Sequence, residues 1–197
     1  MGLIPVAPHQ LATVVTSLEM LKRPAPRPLE TSPLRLIAWE KPTADKYRLL
    51  FKRVGAPWLW FSRLVMNDGA LEAIIHDAGV RIWAVVDPKG VEVGILELDF
   101  RQAGQCELGF LGLVPELAGQ GFGRWLMAQA LMLAWRKDVN RVWVHTCTLD
   151  HPTALHFYQK SGFAAFARAV ETFDDPRILG ILPKDAAPQI PLFVAGS

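Results

Sequence analysis

A mixed α/β fold built on one mostly antiparallel sheet follows from three features of this sequence. Residues 80–86, 91–100 and 106–114 are consecutive apolar segments of strand length, separated by Asp87-Pro88-Lys89-Gly90 and by Gly104-Gln105. Short turns between such segments predict an antiparallel meander. After residue 114 a glycine loop leads into a helical stripe and then into apolar residues 141–147, and a strand, helix and strand in succession predict a parallel crossover. Two further helical stripes precede the meander and supply cover for the sheet.

Residues 12–21 read as a strand, and Pro24, Pro26, Pro28 and Pro33 after it read as a stiff, extended connector. This places residues 1–33 as an N-terminal appendage, residues 34–182 as the main domain and residues 183–197 as a proline-containing tail. A second strand is expected from Leu34 to Trp39. A helix from Thr43 follows, with Tyr47, Leu50, Phe51 and Val54 on one face and a stop at Gly55-Ala56-Pro57. The next helix is expected to be capped by Asp68, with Leu71, Ile74, Ile75 and Ala78 as its apolar stripe before Gly79. Beyond the glycine loop, Leu126, Met127, Ala130, Leu133 and Ala134 mark a buried helix face. Pro152 opens a short helix that stops near Ser161-Gly162, and residues 163–173 form the last strand.

With 197 residues and 51% apolar side chains, the chain is expected to fold as one domain with a substantial core. Its 21 basic and 19 acidic side chains leave a net charge of +2 and form no basic run, which argues against nucleic acid as a partner. No window approaches the ~20 apolar residues of a membrane span, so no membrane partner is expected. Met1-Gly2 is not a myristoylation start, because Val6 stands where that pattern needs Ser or Thr. Cys106 and Cys147 lack CxxC spacing and read as buried thiols, with no metal site and a reducing cytoplasm as the expected setting.

The densest chemical signal is Leu113-Val114-Pro115-Glu116-Leu117-Ala118-Gly119-Gln120-Gly121-Phe122-Gly123-Arg124. Glycines at 119, 121 and 123 let the main chain approach a ligand closely, and the helix that starts there presents unpaired N–H groups to an anion. A pyrophosphate suits this cradle. A P-loop would carry Lys-Ser/Thr, and a dinucleotide fingerprint would need its third glycine where Arg124 stands, so a nucleotide-binding reading is disfavoured.

The meander, the loop Ala118–Gly123 and the later run Ala154-Leu155-His156-Phe157-Tyr158-Gln159-Lys160-Ser161-Gly162-Phe163 together resemble the GNAT superfamily of N-acetyltransferases. The resemblance spans residues 34 to 173 and implies a splayed, mostly antiparallel central sheet flanked by helices. It also implies acetyl-CoA as cosubstrate. The loop main chain, with Ala118, Gly119, Gln120, Gly121, Phe122, Gly123 and Arg124, would take the pyrophosphate. The strand ahead of it, with Leu111, Leu113 and Val114, would pair with the pantetheine arm. The sequence departs from the family at Ala118, where Gln or Arg is usual, and at Asp150-His151-Pro152, where Asn is frequent. Arg124 offers partial compensation for the first. Either Asp150 or His151 has the chemistry to cap the helix that follows.

Acetyl transfer requires a neutral amine, and deprotonating an ammonium of pKa ~10.4 at pH 7 costs about 4.6 kcal/mol, so a base or a water chain is needed. Glu107 and Glu97, on adjacent expected strands, are the candidate bases, with Glu107 preferred. The alternative for both is a half-buried place on a polar sheet face or a pairing with Arg81 or Arg141. The departing thiolate needs a proton donor, and the resemblance gives that role to Tyr158, whose phenol stays protonated at neutral pH. A main-chain N–H near Leu113 is the candidate oxyanion donor.

Trp58, Trp60, Phe61 and Arg63 lie where the resemblance places the acceptor: the aromatics as walls, and Arg63 as a fork for a carboxylate or phosphate. His145 and Asp150 follow the crossover strand, where Asp150 could recognise an amine. The expected activity is transfer of an acetyl group from acetyl-CoA to a primary amine by direct attack in a ternary complex. Its rival is a catalytically silent acyl-CoA-binding module. The N-terminal strand and the tail are candidates for bridging two copies into a homodimer.

Overall fold

The computed structural model describes residues 2–25 and 31–193. Pro26 and Pro28 of the connector, Met1 and the end of the tail lie outside the described residues. Seven strands form one sheet, with helices on its faces. In chain order the elements are β1 (Gln10–Met20), β2 (Arg35–Trp39), α1 (Ala44–Gly55), α2 (Asp68–Ile75), β3 (Val80–Val86), β4 (Glu92–Asp99), β5 (Gln105–Leu113), α3 (Phe122–Ala134), β6 (Arg141–Cys147), α4 (Ala154–Lys160) and β7 (Ala164–Asp174). The strand order is β2-β3-β4-β5-β6-β1-β7. Every pairing is antiparallel except β5 with β6, the expected crossover through α3.

The sequence gives no local sign of where β1 goes. Expected as an appendage, it is an inner strand, antiparallel to β6 on one side and to β7 on the other. Its alternation accounts for this position: Thr16, Leu18 and Met20 are buried on one face, next to Val142 and Val144 in the same core. β7 is the outer strand and is exposed along nearly its whole length.

Helix α1 begins where Thr43 Oγ1 accepts the Lys46 N–H, and it carries Asp45 in its first turn and Lys52 and Arg53 in its last, which complements the helix dipole. Its stripe of Tyr47, Leu50, Phe51 and Val54 is fully buried against the face of β4 that carries Glu97. The opposite face of β4 and β5 carries α3, so β4 is covered on both sides and Glu92–Asp99 is buried through its middle six residues. Two local expectations need correction at α2. Asn67, not Asp68, is the cap, since its Oδ1 accepts the Ala70 N–H at 2.8 Å, and Ala78 is exposed because the helix ends at Ile75.

The tail is part of the fold. Arg177, 2% exposed, donates through Nε and Nη2 to both oxygens of Asp175 (3.0 and 2.7 Å) and through Nη1 to Ile190 O at 2.8 Å. This knot turns the chain so that Leu182 and Ala187 bury against Leu59, and Gln189 Nε2 donates to Pro57 O at 2.7 Å. The tail therefore braces the segment after α1. Arg177→Ala is expected to release it by local opening, which limits the loss of global stability to about 1–3 kcal/mol. Hydrogen exchange checks this: amides of residues 178–190 should lose protection while those of β4 keep theirs.

Candidate active site

The sheet is split where β5 and β6 stop pairing. Their register runs only from Gln105↔Arg141 to Glu107↔Trp143, although β5 continues to Leu113 and β6 to Cys147. A bulge helps to open it: Glu97 pairs with Phe110 but Leu98 with Leu108, which leaves Gly109 as an extra residue on β5. Beyond the split the main chain of β5 has a free edge, the feature expected of a strand that pairs with an extended ligand.

A cavity of about 440 Å³ lies in this split. At one end it meets the glycine loop, where Gly119 and Gly121 have φ of 74° and 82°, conformations that suit glycine. Gly121 is the N-cap of α3 and makes no side-chain cap bond, so the helix terminus keeps the anion-binding character expected of it. Leu111, Leu113, Val114, Ala118, Gly119, Gly121 and Gly123 line the cavity. Gln120, Phe122 and Arg124 do not, and Gln120 folds back so that its Nε2 donates to Glu116 O at 2.9 Å.

Tyr158 projects into the same space from α4 and is 9% exposed. Burial raises its pKa above the ordinary phenol value, and the charge of Asp150 adds to the rise, so the hydroxyl holds its proton. Asp150 also lines the cavity, but its carboxylate is already engaged. Oδ2 accepts from Thr146 Oγ1 (2.7 Å) and Cys147 N (2.9 Å), and Oδ1 accepts from Trp60 Nε1 (3.2 Å). It is a pin between β6 and the aromatic wall. It does not cap α4, where Thr153 N donates instead to His151 Nδ1.

Trp58, Trp60 and Phe61 line the cavity as expected of an acceptor wall. Phe61 packs on Phe173 with ring centroids 4.8 Å apart, and Trp60 on Phe110 at 5.1 Å. Arg63 does not reach the cavity. Its Nη2 donates to Glu97 Oε1 at 2.6 Å, and the Tyr47 hydroxyl donates to Glu97 Oε2 at 2.5 Å. Glu97 is thus locked in a buried triad, away from the cavity lining, and pairs with neither Arg81 nor Arg141. Arg141 instead pairs with Glu19.

Glu107 also lies outside the large cavity. It borders a smaller one with Asp99, Arg101, Gln102, Gln105 and Trp143, and its Oε1 stands 3.2 Å from His145 Nδ1. His145 lines the large cavity, and so do Cys147 and Glu171. Sequence reasoning missed Glu171 and Phe173, because the segment that carries them reaches the site only through the insertion of β1. Cys106 and Cys147 are free thiols, and burial pushes the Cys106 pKa up to about 12, which suits a packing role.

Residues 35–163, from β2 to the turn between α4 and β7, match the Acetyltransferase (GNAT) family. The chain belongs to the GNAT acetyltransferase family. Among curated relatives, a spermidine N(1)-acetyltransferase of Vibrio cholerae is 27% identical over 120 residues, which cover 58% of this chain and 69% of the relative. A crystal structure of spermidine N-acetyltransferase from Vibrio cholerae, in complex with CoA and spermine, superposes with a TM-score of 0.56 at 21% identity over 76% of this chain and 99% of that one. A GCN5-related N-acetyltransferase from Sphaerobacter thermophilus gives 0.56 at 16% identity over 87% of this chain, which spans only 53% of that protein. At such identities the two superpositions establish the GNAT fold. The family match stops short of β1 and β7. Among the described residues no helix is long and apolar enough to cross a membrane.

Proposed function

We propose that this GNAT protein transfers an acetyl group from acetyl-CoA to a primary amine of a small acceptor, by direct attack in a ternary complex. The observation that carries this reading is the continuity of one cavity. It runs from the glycine loop and the start of α3, past Tyr158, to an aromatic and acidic region around Trp60, Phe61, His145 and Glu171. The loop amides and the free edge of β5 are the groups that would hold the pyrophosphate and the pantetheine of acetyl-CoA. Bound there, acetyl-CoA would bring its thioester to the split, where Tyr158 supplies a protonated phenol for the departing sulfur. An acidic, aromatic far end suits an amine that arrives as a cation. The name of the Vibrio relative, a spermidine acetyltransferase, supports the same acceptor class. Free thiols are in keeping with a reducing cytoplasm, and the exposed outer edge of β7 with assembly into a homodimer.

Thermal unfolding tests the cofactor assignment. A ligand present at 100 times its Kd adds about 2.7 kcal/mol, which in a domain of this length raises Tm by roughly 5–10 °C. Acetyl-CoA and CoA should produce that shift and ATP and NAD should not. No shift with either CoA compound would remove the assignment, and binding without turnover on any amine would favour the silent module.

A further inference from the structure

We infer that His145 takes the proton from the acceptor amine and that Glu107 is the positioning residue that holds it for that task. This rests on the transferase reading above and assigns a base within it. The acceptor half of the cavity needs a group with a free lone pair. Glu171 lines it from the exposed outer strand β7, two strands away from the split between β5 and β6, and the other carboxylates nearby are committed elsewhere. Glu97 is 1% exposed and accepts from Tyr47 and Arg63. Asp150 accepts three hydrogen bonds from Thr146, Cys147 and Trp60. His151 has its Nδ1 taken up by the Thr153 amide, at the start of α4.

His145 differs from all of these. It sits on β6 two residues past Trp143, the last residue paired with β5, on the face shared with Trp143 and at the mouth of the split. Its Nδ1 is 3.2 Å from Glu107 Oε1. In the neutral ring that contact favours the tautomer with its proton on Nδ1, towards the carboxylate, and leaves Nε2 as the basic nitrogen. The side chain is 50% exposed, so a proton taken up at Nε2 has a route to water. Ser17 of β1 is its register partner, Trp143 and Cys147 flank it on β6, and Asp150 and Glu171 act on it from the adjoining turn and from β7. The hydrogen bond to Glu107 raises its pKa against the opposing effect of burial, and the charges of Glu107, Asp150 and Glu171 add to the rise.

The proton balance closes with the groups present. The acceptor ammonium gives one proton to His145 Nε2, and its freed lone pair forms the N–C bond to the acetyl carbonyl carbon. Collapse of the adduct breaks the C–S bond, and the sulfur takes the proton of Tyr158. The second proton on nitrogen returns to the tyrosine oxygen, and His145 releases its own to water.

The test measures CoA release from acetyl-CoA with spermidine, putrescine and benzylamine as probes, as a function of pH. In the wild-type protein kcat/KM should rise with the loss of one proton at a pKa above the usual ~6.5 of histidine. His145→Gln should lower kcat by about 100-fold or more and abolish that limb, while its thermal shift with acetyl-CoA matches wild type. Glu107→Gln should keep most of the activity at high pH and move the limb down in pH, a displacement that a merely structural glutamate would not cause. An unaltered kcat and limb in His145→Gln overturns the assignment of the base. A limb unmoved in Glu107→Gln overturns the positioning role. If the wild-type protein releases CoA with none of the three amines, the transferase reading falls first and takes the base with it.

Discussion

Glu97→Ala is expected to cost about 3–5 kcal/mol of folding stability, the usual penalty for removing one member of a buried ion pair. The carboxylate satisfies two groups at once, the guanidinium of Arg63 at 2.6 Å and the hydroxyl of fully buried Tyr47 at 2.5 Å. Alanine leaves the charge and the hydroxyl without an acceptor and opens a cavity between α1 and β4. In the native protein burial raises the Tyr47 pKa and the Glu97 carboxylate adds to the rise, so the hydroxyl is the protonated donor that the variant leaves without its acceptor. For Arg63, burial alone would lower the pKa, but the attraction of Glu97 and Tyr47 outweighs it and the side chain stays charged. At this chain length the loss corresponds to a fall in Tm of roughly 10 °C, measurable by calorimetry. The variant Tyr47→Phe/Arg63→Met/Glu97→Leu should recover at least half of it, since apolar groups of similar volume often replace buried charges without penalty. A single-variant cost under about 1 kcal/mol would mean that the triad is not desolvated in solution.

The triad also bears on the site. Arg63 lies over the ring of Phe110, which meets Phe51 edge-on at 4.8 Å and packs on Trp60. Trp60 in turn is pinned by Asp150. Arg63, which looks like an acceptor ligand in the sequence, is instead tied to Glu97 behind the aromatic wall, and Asp150 is tied to Trp60 within it.

Where the signal is local, the sequence is readable. The stripe of α1, the meander β3-β4-β5 and the crossover to β6 follow from periods of 3.6 and 2 and from turn chemistry, and their limits agree with the structure within a residue or two. The glycine loop is legible for the same reason, since Gly119 and Gly121 occupy backbone conformations that suit glycine. Non-local pairing is not written in any window. The alternation in Gln10–Met20 shows a half-buried strand, yet nothing in it says that β6 and β7 are its neighbours across more than a hundred residues. For that reason Glu171 and Phe173 could not be placed in the cavity from the sequence, nor the tail against Leu59.

Side-chain roles were harder still, because a carboxylate on a strand looks alike whether it faces a ligand or an arginine. From its neighbours in sequence Glu107 reads as the base. In the structure it lies outside the large cavity, 3.2 Å from His145 of another strand. Arg63 reads as a fork for an anion but is engaged by Glu97, which the pattern of neither segment reveals.

Tyr158→Phe is expected to lower kcat by about 10²–10⁴-fold while leaving the KM for acetyl-CoA and the folding stability close to wild type. The ring is held between Phe157 and Phe163, and phenylalanine keeps those contacts. Burial and the charge of Asp150, not a hydrogen bond, act on its hydroxyl among the described residues, so removing it orphans no buried group. In the proposed mechanism, what is lost is the proton offered to the departing sulfur. A free thiol of pKa ~8.5 is a stronger acid than a phenol of pKa ~10, which in water would make this transfer unfavourable. The thiolate, however, is formed in the same desolvated cavity that raises the Tyr158 pKa, so its own affinity for a proton rises with that of its donor. The sign of the pH dependence follows. The protonated phenol is the active form, and a raised pKa moves its loss to higher pH, so Tyr158 should cause no fall in kcat below about pH 10. Steady-state kinetics over that range decides the point: a variant with wild-type kcat, or one that loses acetyl-CoA binding in proportion to activity, would make Tyr158 a wall of the cavity and return the proton to water.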